Sequence, residues 1–402
     1  MTESAVPVTE TPRGGIPDVC ANADDVERAY RALAAGHGPL LCDVERAAGY
    51  VYSHRAYLVQ LARAGSGIWL LDPIAAADAP AFAAIGELMG DNEVVLHAAD
   101  QDLENLRELG MAPGRLFDTE LAARLLGMTN VSLAGLHRDL LGIHLAKAHQ
   151  TSDWSRRPLP DDWRAYAALD VDYLGQIRDI LAARLVDAGR EEWAEQECDH
   201  VLHAAPKPAK SDPWRVSGAG KLRDRRQLAA LRALWQARDE LGRRDDREPA
   251  KYLATRALVP LAELNPTSVR SAMRSIPELK FKRTRQHLDV WQNALDEARA
   301  LDETELPPLR RAHEPGALAP MKDWRYRAPS ALARLETIKA GLRAVSDVLG
   351  IRADLVLAPA AQRRLAWEGA TEGDIEQRLR DLDARPWQIR LTRDLLERAL
   401  AS

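Results

Sequence analysis

The chain has 402 residues, 46% hydrophobic and 29% charged, which suits two to four folded domains and excludes disorder throughout. No run of about 18 apolar residues occurs, which excludes a membrane-spanning helix, and the polar stretch Met1 to Gly15 lacks the basic-then-apolar layout of a secretory signal. The net charge of -5 hides an asymmetry: residues 1–200 hold 17 Lys and Arg against 32 Asp and Glu, whereas residues 201–402 hold 38 against 28, as when a polyanion-binding part is joined to one that concentrates carboxylates for cations.

Residues 16–36 read as a short helix with Asp24, Asp25, Glu27 and Arg28 on its wet side. Leu40-Leu41-Cys42-Asp43-Val44-Glu45 reads as a strand. Ala56 to Leu61 and Ile68 to Leu71 read as two more, joined as a hairpin through Gly65-Ser66-Gly67. A helix is expected over 79–89, a short buried strand from Glu93 to Ala98, and a helix from about Gln101. Early strands followed by alternation with helices give an α/β sheet of mixed strand direction. From 119 the pattern is helical to about 200. Ala204 to Gly220, with Pro206, Pro208, Pro213, Lys207 and Lys210, reads as a break, and 206–220 as a linker. Residues 221–300 are helical. Residues 301–329 form a second, proline-rich linker, and 330–402 are helical again. The two C-terminal blocks are of similar length, which points to an internal duplication.

Five residues stand out by position. Asp43 and Glu45 are two apart on a strand, so both side chains share one face. Unpaired buried carboxylates are costly, and hard oxygen ligands of this kind suit Mg²⁺ or Mn²⁺ rather than zinc. Asp102 follows a strand at the start of a helix, where the backbone dipole favours a carboxylate. Asp100 is its rival, read as the helix N-cap. Tyr166 and Asp170 are four apart and stack on one helical face. The three cysteines, Cys20, Cys42 and Cys198, show no Cys-x-x-Cys spacing, which argues against a disulfide framework and suits a reducing cytoplasm.

Cys42-Asp43-Val44-Glu45, His97 through Asp102-Leu103-Glu104, and Ser152-Asp153-Trp154 through Arg157-Pro158-Leu159 to Tyr166-Ala167-Ala168-Leu169-Asp170-Val171 together resemble the three exonuclease motifs of the ribonuclease D family. That family belongs to the DEDD 3′→5′ exonucleases, in the subgroup with tyrosine in the third motif. Lys147 and Gln150 also fit the stretch before the third motif. The resemblance covers roughly residues 25–200 and implies a ribonuclease H-like exonuclease domain over 1–205. It makes Asp43, Glu45, Asp102 and Asp170 the ligands of two divalent cations, Mg²⁺ or Mn²⁺, and Tyr166 the residue that orients the attacking water. An unperturbed phenol, titrating near about 10, is a poor base at neutral pH. One departure is visible: many relatives follow the first acidic pair with an aromatic residue, whereas this chain has Arg46.

Residues 221–300 resemble the HRDC domain, an all-α module, through Trp235, Arg238-Asp239-Glu240-Leu241, Pro249, Leu253 and Leu258-Val259-Pro260-Leu261-Ala262. Residues 330–402 look like a second, diverged copy. The resemblance implies a substrate-binding role for both. Lys280, Lys282, Arg283 and Arg285 cluster and are candidates for phosphate contacts, and Trp214 and Trp324 for stacking on bases or pinning linkers. The expectation is a metal-dependent 3′→5′ exoribonuclease that trims RNA 3′ ends, tRNA precursors above all, by a two-metal-ion mechanism. It would act as a cytoplasmic monomer with no membrane partner. The alternatives are a DNA exonuclease of the same superfamily and an inactive RNA-binding protein.

Overall fold

The structure, a computed structural model, describes residues 8–145, 149–206, 211–310, 316–370 and 374–401. Lys147, Lys207, Pro208 and Lys210 lie outside them. Six strands form the central sheet: β1 (Val19–Cys20), β2 (His37–Arg46), β3 (Ala56–Ala64), β4 (Gly67–Leu71), β5 (Glu93–Leu96) and β6 (Arg115–Asp118). Their spatial order is β1-β4-β3-β2-β5-β6. β2, β3 and β4 are antiparallel neighbours, and β5 and β6 continue parallel to β2. The expected hairpin is present, turned through Gly65 and Gly67 with φ of +86° and +76°, where only glycine is unstrained.

One face of the sheet is covered by α1 (Ala23–Ala35) and α2 (Ala81–Asp91), which bury Leu33, Ile85 and Met89 against Leu40, Cys42 and Val44. α1 starts where Asn22 accepts a hydrogen bond from the Asp25 N–H, an N-cap that satisfies an otherwise orphaned donor. α3 (Leu103–Glu108) and α4 (Thr119–Leu125) follow β5 and β6. The opposite face receives α5 (Asp161–Asp172), which packs on β2, β3 and β4. α6 (Leu174–Asp187) and α7 (Glu191–His203) complete the layer.

Residues 119–200 are not continuously helical. β6 precedes them, and residues 149–160 form an irregular segment leading into α5. β6 is only four residues long and ends on Asp118, which caps α4, so its strand pattern is cut short by a helix-start signal.

The two helical blocks are built differently. Residues 214–306 form a core of their own around Leu228, Leu231, Leu258 and Trp291, on α8 (Arg225–Arg244), α9 (Thr255–Leu264) and α10 (Leu288–Ala300). The C-terminal helices α11 (Pro329–Leu349), α12 (Pro359–Glu368) and α13 (Pro386–Ala401) share one core with the first domain. There Leu125, Ile177, Leu181 and Leu185 meet Trp324, Leu335, Ile338 and Trp387. Trp214 and Trp324 are buried in these two cores. Neither presents a ring for base stacking, because each carries its stretch of expected linker into a hydrophobic core.

Candidate active site

Alternation along β2 turns Leu40, Cys42 and Val44 toward α1 and α2 and sends Asp43 and Glu45 to the other face. There Asp43 lies opposite Gln60 and Glu45 opposite Leu58 of β3. α5 crosses this face, and its i, i+4 spacing puts Tyr166 and Asp170 together. Carboxylate oxygens of Asp43, Glu45 and Asp170 lie within 4.8 Å of one another, and the Tyr166 hydroxyl is hydrogen-bonded to Asp170. Asp102 enters from the end of β5 and is buried; its charge and that of Asp43 act on each other. It occupies the N-cap position of α3 without a side-chain capping bond.

Burial and mutual repulsion govern the electrostatics. Burial pushes the Asp43 carboxyl up to about 6, against a backbone hydrogen bond and the charge of Arg46. Burial, then the neighbouring carboxylates, hold Glu45 and Asp102 well above the ordinary carboxylate range. Asp170 is raised in the same way, by burial and then by Asp43. Burial and the charges of Asp170 and Glu45 push the Tyr166 phenol up as well, so it is neutral across the working range of a protein. Gln60, directly opposite Asp43, is fully buried, and both polar atoms of its amide lack a protein partner. Converging carboxylates beside an unsatisfied amide fit a hydrated divalent cation, which removes the repulsion and brings water into reach.

Three further groups hold this arrangement, none of them given a role in the site by the sequence alone. Asp118 is buried and accepts from the Ala98 and Ala99 N–H groups (3.1 and 2.8 Å) as well as from Glu120 N–H at 2.8 Å. It thereby fixes the turn through Ala98, at φ 57°, that delivers Asp102. Its carboxyl is pushed up to about 6 by burial. The available signal was an Asp directly before Thr119-Glu120, an N-cap pattern. Arg157 pairs with the buried Asp72 at 2.5 Å and donates to the carbonyls of Trp154 and Tyr57, both at 2.7 Å. This ties the segment before α5 to the sheet. Trp154, fully buried, then packs against Trp163 and Tyr166, with centroids at 5.4 and 6.3 Å. Arg46 is the third: it reaches Asp102 at 3.4 Å.

Of the basic cluster, Lys280, Lys282 and Arg285 are exposed around a half-exposed Phe281. Arg283 is partly covered, its guanidinium 5.7 Å from the Tyr252 ring centroid. The helical block meets the exonuclease domain through polar contacts. Tyr52 donates to Asp239 at 3.2 Å, Ser53 N–H to Asp246 at 2.9 Å, and Glu248 N–H to the Tyr50 carbonyl at 3.1 Å.

Comparison with known proteins agrees with this layout. A 3′-5′ exonuclease family profile matches residues 18–186, an HRDC domain profile 227–295, and a 3′ to 5′ exonuclease C-terminal domain profile 317–400. A ribonuclease D from Pseudomonas paraeruginosa is 31% identical over 312 residues, 77% of this chain and 78% of the relative. One from Jannaschia is 28% identical over 89% of this chain and 90% of the relative. Among solved structures, a protein from Bifidobacterium adolescentis superposes with a TM-score of 0.88 at 34% identity, covering 98% of this chain and 99% of that one. Escherichia coli RNase D, an exoribonuclease involved in structured RNA processing, superposes with a TM-score of 0.67 at 22% identity, over 96% of this chain and 98% of that one, a likeness of fold.

Proposed function

The chain belongs to the ribonuclease D family of 3′→5′ exoribonucleases, and from that premise we propose that Asp43, Glu45, Asp102 and Asp170 hold two divalent cations, Mg²⁺ or Mn²⁺, at which RNA is shortened from its 3′ end. The observation that carries this reading is the convergence of three carboxylates within 4.8 Å of one another, with Asp102 beside them. Bound there, the cations would activate water and neutralise the departing 3′ oxygen. Asp43 lies with Glu45 and Asp170 and acts electrostatically on Asp102, so it is the carboxylate on which holding the cations would most depend. Tyr166 stays protonated, so its role is to hold the attacking water in line rather than to take its proton. The buried shell of Trp154 and Leu159 keeps that phenol in place.

The natural substrates on this reading are structured RNAs, tRNA precursors foremost, handled by a monomer in the cytoplasm. Lys280, Lys282, Arg283 and Arg285 guide the strand through phosphate contacts, with affinity that falls as salt rises. The test is hydrolysis of a 3′-extended tRNA precursor and of a matched DNA strand, with Mg²⁺ or Mn²⁺. Asp43→Asn is expected to lower the rate by more than about a hundredfold, since groups one shell further from a metal already cost 10–100-fold. Undiminished activity in that variant, or in excess chelator, refutes the metal-dependent reading. DNA cut as fast as RNA refutes the substrate assignment.

A further inference from the structure

Arg46 directly follows the acidic residues Asp43 and Glu45 on β2, and its surroundings are unusual for an arginine. It follows Glu45 at a register shift of the β2–β3 pairing, where Glu45 opposes Leu58 and Arg46 opposes Ala56. Such irregularities re-aim a side chain beside a functional site. The guanidinium lies 3.4 Å from a carboxylate oxygen of Asp102 and donates to the Gln101 carbonyl. It is the cation that acts on Asp43, Glu45 and Asp102 alike. With roughly a third of its side chain exposed, against 7% for Asp102, it sits at the mouth of the carboxylate cluster rather than within it.

One guanidinium cannot neutralise four carboxylates, and its contact with Asp102 is too long for a strong charge-assisted hydrogen bond. A divalent cation held by Asp102 would compete with Arg46 for that carboxylate and repel the guanidinium. The anion then nearest to that mouth is a phosphate of the RNA 3′ end, whose oxygens match the planar fork of arginine. We propose that Arg46 exchanges partners: it holds Asp102 in the metal-free protein and binds a phosphate of the RNA 3′ end once the cations are in place. This rests on the reading of the site given above.

The experiment uses the full chain and two variants, Arg46→Gln and Arg46→Lys, with folding monitored by circular dichroism. Mn²⁺ binding is measured without RNA by electron paramagnetic resonance. KM and kcat are measured at saturating Mg²⁺ on a short single-stranded oligoribonucleotide. Removing the charge is expected to tighten Mn²⁺ binding several-fold while raising KM roughly tenfold, the worth of one charge-assisted hydrogen bond, with kcat less affected. Arg46→Lys, which keeps the charge but loses the fork, is expected to bind Mn²⁺ like the parent and to show an intermediate KM. If Arg46→Gln weakens Mn²⁺ binding, or leaves either Mn²⁺ affinity or KM unchanged, the exchange is refuted and Arg46 is a structural brace. Asp43→Asn run alongside separates the two levels: if it retains Mn²⁺ binding and activity, the site assignment itself fails, whatever Arg46 does.

Discussion

The protonation state of single groups decides what this site does. Tyr166 touches Asp170 and is held neutral by burial and by that carboxylate. Tyr166→Phe keeps the ring against Trp154 and loses only the hydroxyl. It is predicted to lower kcat by roughly 10–100-fold through a misplaced water, with Mn²⁺ affinity and thermal midpoint close to the parent. Equal losses in metal binding would instead make the hydroxyl a support for Asp170. The carboxylates give a prediction of opposite sign to the usual acid denaturation. Asp43 and Asp118 are each raised from 3.8 to about 6, so the folded state binds protons more tightly than the unfolded one. Their stabilising contribution is complete below 3.8 and is lost as pH rises through about 6. In chelator, the thermal midpoint should therefore fall between pH 5 and 7.5. Added Mg²⁺ should raise it more at pH 7.5 than at pH 5, where protons compete for the same oxygens. A midpoint that climbs over this range in chelator contradicts the assigned burial. The pairing of Asp43 with Glu45 and of Tyr166 with Asp170 was legible in the sequence because strand alternation and i, i+4 spacing are local rules. The contacts of Asp118 and Arg157 were not, because their partners, Ala98 and Ala99 in one case and Asp72 in the other, lie about 20 and 85 residues away.

At the scale of elements, the site depends on α5 being seated on β2, β3 and β4, and the lock for that seating is the segment 149–160. Asp72 is 1% exposed. Burial alone would raise its carboxyl, but the Arg157 hydrogen bond and charge, together with the Ala75 and Ile74 N–H groups, outweigh this and hold it below its ordinary value. Arg157→Ala leaves that carboxylate buried without its cation and also removes the donors to Trp154 and Tyr57. Breaking such a pair by truncating one partner costs about 3–5 kcal/mol when both are fully buried, and about 2–3 kcal/mol is expected here because Arg157 is partly solvated. Denaturant titration checks this. The companion variant Asp72→Asn removes the stranded charge, so Asp72→Asn combined with Arg157→Ala is expected to be less destabilised than Arg157→Ala alone. Strict additivity of the two changes would show that the pair is not coupled. The hairpin, the helix at Ala81–Asp91 and the buried strand from Glu93 are where periodicity and turn chemistry put them, whereas the helix expected over 16–36 begins only at Ala23 because Val19 and Cys20 pair with β4 as the edge strand β1. β6 escaped because four residues between a glycine and an N-cap carry too few repeats for alternation to register.

At the scale of the molecule, the two helical blocks differ in what their apolar faces cover. An amphipathic pattern says that a helix face is buried but not which surface buries it, so residues 221–300 and 330–402 read alike in sequence. In three dimensions the first block encloses its own core, from Trp214 to Leu306, and touches the exonuclease domain through Tyr52, Ser53, Asp239 and Asp246. The second completes the exonuclease core. Trp387 stacks on Trp193 with centroids 4.6 Å apart, and its indole N–H and Arg385 both reach the buried Glu197, at 2.8 and 2.7 Å. Removing residues 317–402 would uncover Leu125, Ile177, Leu181 and Leu185 together and strand Glu197. An exposed patch of that kind makes a protein aggregate. A chain ending at residue 310 is therefore predicted to be insoluble, or to bind a hydrophobic dye and melt without a sharp transition. Residues 211–310 expressed alone are predicted to unfold cooperatively, because nearly all of the apolar surface they bury is their own. The reverse outcome, a sharply melting exonuclease without its C-terminal helices, would mean that the shared core contributes little. The basic excess of the second half lies on the separately folded block, since residues 201–300 hold 21 Lys and Arg against 12 Asp and Glu whereas residues 301–402 hold 17 against 16. The basic surface can vary on a separately folded block, while the acidic site keeps the support it needs from residues two hundred positions downstream.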